Sequence, residues 1–60
     1  MIGQLFEIVG VDKDSPHHYQ RMKGMVLPLT RHENVRRYSH YFNEGKGDRQ
    51  FHKEEVRRLV

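Results

Sequence analysis

Apolar and polar residues alternate over Gln4-Leu5-Phe6-Glu7-Ile8-Val9-Gly10-Val11, which predicts a first β-strand. Successive strand side chains point to opposite faces, so Phe6 and Ile8 share one face and Glu7 turns away between them. Leu5, Val9 and Val11 make the second face apolar enough to expect partial cover there too. Asp12-Lys13-Asp14-Ser15-Pro16 ends the strand, because Asp and Ser compete for backbone hydrogen bonds and Pro fixes its own φ. A polar stretch follows through His17, His18, Tyr19, Gln20 and Arg21 to Gly24. At about 13 residues it is long for a plain connection, which predicts a structured or functional loop.

Met25-Val26-Leu27-Pro28-Leu29-Thr30 reads as the second strand. Pro28 has no N–H for a ladder, so this strand is expected at an edge or with a bulge. Val35 to Asn43, rich in Tyr and Phe, reads as the third strand. On it Arg36, Tyr38, His40 and Phe42 share one face, and Arg37, Ser39 and Tyr41 share the other. Tyr38 with Phe42 is assigned to the core, which leaves Arg37 and Tyr41 outward. Glu44-Gly45-Lys46-Gly47-Asp48 predicts a tight hairpin, with two glycines available for positive φ. Arg49-Gln50-Phe51-His52 returns as a fourth strand. The tail Lys53-Glu54-Glu55-Val56-Arg57-Arg58-Leu59-Val60 places acids before bases and Val56, Leu59 and Val60 at helical spacing, which suits one helical or 3-10 turn, with or without a closing strand after it.

Composition agrees with a β reading. The 60-residue chain has no Ala and five Gly, so it is a poor helix former. Leu, Ile, Val and Phe make up a quarter of it, just above the level at which a charged chain is expected to stay disordered. Residues 1–60 therefore form one small domain, and a domain this size buries only about 60% of its unfolded surface. Cysteine is absent, which fits a reducing, cytoplasmic setting. No apolar run approaches the roughly 18 residues of a membrane span, so no membrane partner is expected. The net charge of +3 falls entirely in residues 31–60, since the charges of residues 1–30 cancel. A basic half attracts phosphates or an acidic protein surface.

Candidate chemistry is thin apart from that basic half. The histidines His17, His18, His32, His40 and His52 carry no zinc spacing: His32-Glu33 begins like H-E-x-x-H, but the fifth position is Arg36. No metal or other cofactor is expected. Ser15 and Ser39 have no nucleophile elbow, and Gly45-Lys46-Gly47 is too short to cradle a phosphate chain. A solvated turn accounts for Glu54 and Glu55. A chain this small also struggles to enclose a small-molecule substrate pocket. An enzyme is not expected.

The order of elements resembles the SH3-like small barrels, including their KOW and Tudor-like members. The residues that carry the likeness are Phe6-Glu7-Ile8-Val9-Gly10, the long polar loop, and Lys23-Gly24-Met25-Val26. Then come the hairpin from Tyr41-Phe42-Asn43 to Gly47-Asp48-Arg49-Gln50-Phe51 and the turn His52-Lys53-Glu54-Glu55-Val56. The likeness covers nearly the whole chain by layout and not by a diagnostic string. It implies an all-β fold: a single SH3-like barrel of four to five antiparallel strands with a long early loop and a short C-terminal turn. Trp is absent, so the likeness does not extend to the aromatic groove with which peptide-binding SH3 domains hold proline-rich ligands. A chain of this size and layout also resembles small phage or bacterial accessory proteins.

The expected function is non-catalytic binding. Arg36, Arg37, Tyr41 and Arg49 are the candidate nucleic-acid-binding residues, because arginine holds phosphate and tyrosine stacks bases. The alternative is a protein-binding regulator or inhibitor, such as a phage protein acting on a host complex. It would use the loop residues His17, His18, Tyr19 and Arg21 or a free strand edge. A homodimer would add apolar contact to so small a core.

Overall fold

In the computed structural model the protein is described over residues 2–34 and 37–60. The alternating segment forms β1 (Leu5–Ile8), with Phe6 and Ile8 buried, Leu5 exposed and Glu7 half-buried. After the Asp12–Pro16 breaker the early loop holds one short helix, α1 (His17–Gln20), and a turn that closes at Gly24 with φ +92°. Then come β2 (Val26–His32), β3 (His40–Asn43) and β4 (Asp48–Phe51). A 3-10 turn (Lys53–Glu55) leads into β5 (Val56–Arg58), so the tail holds both a turn and a closing strand. Gly45 and Gly47 take φ of +102° and +106° in the β3–β4 hairpin, as two glycines there predict.

The five strands make one antiparallel sheet in the order β4-β3-β2-β1-β5, with β4 and β5 as its edges. β2 belongs to two ladders at once. Its first half pairs with β1, Phe6 opposite Leu27, and its second half pairs with β3, Leu29 opposite Phe42. Leu29 donates its N–H to Gln4, so the adjacent Pro28 nitrogen turns the other way, toward the end of the β3 ladder. That arrangement tolerates a proline in a central strand. A register shift separates Leu29 from Arg31, so a bulge accompanies the proline.

The core lies between the two halves of the bent sheet. It consists of Phe6, Ile8, Met22, Leu29, Phe42, Phe51 and Val56, with Tyr19 and Met25 packed against it. Phe42 meets Phe6 and Phe51 edge to face, at centroid distances of 5.6 and 5.9 Å. Met22 and Tyr19 come from the early loop, which therefore folds back to close one side of the core. Among the described residues no helix is long and apolar enough to cross a membrane.

The third strand is shorter than the sequence predicts. It starts at His40, and two expectations fail with it. Tyr38 precedes the strand, is 40% exposed and is not a core residue. Tyr41 is only 4% exposed although it lies on the outer face. The bulge explains the second point, because it brings Arg31 opposite Tyr41, and the Arg31 guanidinium covers the ring at 4.2 Å.

Candidate ligand-binding groove

Two clefts meet on the surface beside the 3-10 turn. The first, about 350 Å³, is lined by the exposed Asn34, Arg37, Lys53 and Glu54. Ser39, His32, His40 and His52 complete it. The second, about 280 Å³, lies between Tyr19 and Tyr38, with Pro16, Ser15, Gln50 and Glu55 around it. The Tyr38 ring rests on His52 at 5.6 Å, so a wall of one cleft touches a wall of the other. The two lie side by side as a candidate groove, with cations and imidazoles in one cleft and tyrosine rings in the other.

Three histidines distant in sequence reach the first cleft because the strands carry them there. His32 and His40 are register partners across β2 and β3, and their rings meet edge to face at 4.7 Å. His52 follows β4 and begins the turn. His40 is buried against the Phe6 ring, with its Nδ1 2.9 Å from the Ser39 hydroxyl. Among the described residues no three His, Asp or Glu side chains converge as metal ligands.

Burial, and then the charge of His32, hold the His40 pKa below the ordinary 6.5. The folded imidazole stays neutral where an unfolded one already takes a proton. Below about pH 6.5 the unfolded chain therefore binds more protons at this position, and stability falls as pH falls. This contribution is complete above the unfolded value and is lost downward at up to about 1.4 kcal/mol per pH unit, until the folded value is passed. Urea midpoints measured from about pH 8 to 5 should show this acid limb, and His40→Gln should flatten it. An unchanged limb in the variant would assign the loss to other groups.

Glu55 anchors the groove from beneath. Its carboxylate is 6% exposed and accepts the N–H of Asp12 at 3.0 Å and that of His52 at 3.2 Å. One oxygen also lies 3.5 Å from His52 Nε2. The expectation of a solvated acidic pair therefore holds for Glu54 but not for Glu55, which ties the early loop to the last turn. Tyr19 is fixed similarly: its ring packs on Phe51 at 5.3 Å, and its hydroxyl accepts the Gln50 N–H at 3.0 Å.

The residues singled out from sequence are distributed unevenly. Arg37 is exposed and lines the first cleft. Arg36 lies outside the described residues. Tyr41 is covered by Arg31, and its hydroxyl donates to Glu33 at 2.7 Å. A hydrogen bond with Tyr41, more than the charge of Glu33, holds the Arg31 pKa above the ordinary arginine value, against a desolvation effect that lowers it. Arg49 pairs opposite Phe42 and so faces the core side, where it reaches the buried Glu44 carboxylate at 4.0 Å. Arg21 ion-pairs with the same carboxylate. His17 is exposed, and the half-buried His18 ring leans on Tyr19 at 5.0 Å.

Sequence reasoning missed Tyr38, Lys53 and the convergence of His32, His40 and His52. A shorter β3 would have freed Tyr38, but nothing local marks where that strand begins. Comparison with protein-family models, with curated proteins and with solved structures gives no match.

Proposed function

We propose that this protein is a non-catalytic binding module of SH3-like layout that holds single-stranded nucleic acid along the groove. The layout is supported by the β1–β5 ladder, the β2-β3-β4 meander, the long early loop and the 3-10 turn before the last strand. The observation that carries the function is Tyr38, an exposed ring placed where a cationic cleft meets a tyrosine-walled one. Backbone phosphates suit Arg37 and Lys53, and unpaired bases suit the faces of Tyr38 and Tyr19. Stacking needs no sequence readout, so such a module would bind many single strands with a strong salt dependence.

Fluorescence anisotropy with a labelled single-stranded oligonucleotide tests the reading. Tyr38→Ala should weaken binding by about 1–3 kcal/mol, the usual value of one stacked base. Arg37→Ala should lower the slope of log K against log salt by about 0.7, one phosphate contact on a single strand. Tyr41→Phe, beneath Arg31, should leave affinity unchanged. No binding at low salt, or full affinity in Tyr38→Ala, would refute the proposal.

A protein partner with an acidic surface is the second reading, favoured by Tyr19 in the second cleft and by the edge strands β4 and β5. It would show a weaker salt dependence than a nucleic acid if its interface core is apolar, and Tyr19→Ala would be its most damaging change.

A further inference from the structure

We infer that the first cleft is an oxyanion seat, shaped for a phosphate group between Arg37 and Lys53 over the Ser39–His40 pair. The inference rests on the nucleic-acid reading only for the source of the phosphate, not for the site itself. Arg37 and Lys53 are both exposed, and they line the cleft from separate segments, one from the bend before β3 and one from the 3-10 turn. The floor adds a donor. A neutral imidazole has one N–H and a serine has one O–H, so the pair holds two donor hydrogens. Their mutual contact at 2.9 Å uses one of them, whichever way it runs. The other is left over, on His40 Nε2 or on the Ser39 hydroxyl, in a cleft that both residues line.

The surrounding charges favour an anion. The groups facing this space are His32 from β2, Arg37, His52, and Lys53 and Glu54 from the turn. Glu54 is the one carboxylate of the cleft among the described residues; its side chain is 74% exposed, with one oxygen 3.8 Å from His52 Nδ1, so solvent screens much of its charge. The buried Glu55 is already occupied with two backbone N–H groups and His52. Two point charges and a buried donor bind a tetrahedral oxyanion without any base contact.

Titration of isotope-labelled protein with inorganic phosphate and, separately, with sulfate tests the seat by NMR. Saturable shifts on the amides of Asn34, Ser39 and Lys53 with either anion are expected. Arg37→Ala and Lys53→Ala should each weaken binding by up to about fivefold, the upper end for an exposed ion pair. Glu54→Gln should strengthen it, and Lys46→Ala, on the exposed hairpin, should not change it. All four positions are exposed, so the variants should keep the fold, which the same spectra report. Displacement of a bound oligonucleotide by phosphate would identify the strand's own phosphates as the occupant. Saturation by phosphate with no oligonucleotide binding would keep the seat, assign it to a free phosphate or phosphoryl group, and refute the nucleic-acid reading. Oligonucleotide binding with no anion response up to tens of millimolar would overturn the seat and leave that reading standing. Weakening by Lys46→Ala equal to that by Lys53→Ala would also overturn it, since only diffuse charge would then be at work.

Discussion

Phe42→Ala is expected to leave most of the chain unfolded at 25 °C. Phe42 has no exposed surface and stands between Phe6 and Phe51, so its ring joins the two halves of the bent sheet. Truncating a buried Phe costs about 3–5 kcal/mol, part lost transfer energy and part cavity. A single core in a chain this short rarely supplies more than about 3–5 kcal/mol, so the loss matches the whole reserve. Far-UV circular dichroism and urea unfolding should show no cooperative transition in the variant. Phe42→Leu should retain a transition at a lower midpoint. A cooperative transition near the wild-type midpoint in Phe42→Ala would mean that the core lies elsewhere.

Glu55→Ala should have the second-largest effect. The carboxylate holds two backbone N–H groups from segments far apart in the chain, Asp12 and His52. Hydrogen bonds to charged acceptors contribute about 1.5–3 kcal/mol each, and the alanine variant would leave both donors without their partner. A net loss of about 2–4 kcal/mol is expected after partial rescue by water. Glu55→Gln keeps one carbonyl acceptor and should lose less. The early loop should loosen along with the turn, and hydrogen exchange at Asp12 and at the α1 amides should accelerate together. Loosening of the turn alone would show that Glu55 does not tie the loop to it.

The sequence reveals the fold where the information is local. Phe6 and Ile8 announce β1 by alternation, Asp12 to Pro16 announce its end, and Gly45 and Gly47 announce the hairpin. Acids before bases mark the 3-10 turn correctly, but not which acid is buried, because Glu55 is held inside by a residue 43 positions away. The departures at Tyr38 and Tyr41 have different origins. Tyr38 precedes a strand that starts at His40, whereas Tyr41 keeps its outward face but a bulge in β2 sets Arg31 over it. A bulge is a property of two strands, and only Pro28 hinted at it.

The candidate site was less legible than the fold. The basic half includes Arg37, which lines the first cleft, but residues that are neighbours in sequence are not neighbours in space there. Arg49 lies toward Glu44, and the lysine that lines the cleft with Arg37 is Lys53, from the 3-10 turn. His32, His40 and His52 look unrelated along the chain, and only the β2–β3 register and the end of β4 bring them to one cleft.

The most direct test of the account is a residue-resolved NMR titration of the intact chain with a short single-stranded oligonucleotide at low and moderate salt. The account predicts saturable, salt-sensitive shifts running from Asn34, Arg37 and Lys53 through Tyr38 and His52 to Tyr19, with the exposed amides of Lys13 and Lys46 unmoved. Saturable shifts centred elsewhere, or no shifts at low salt, would contradict it.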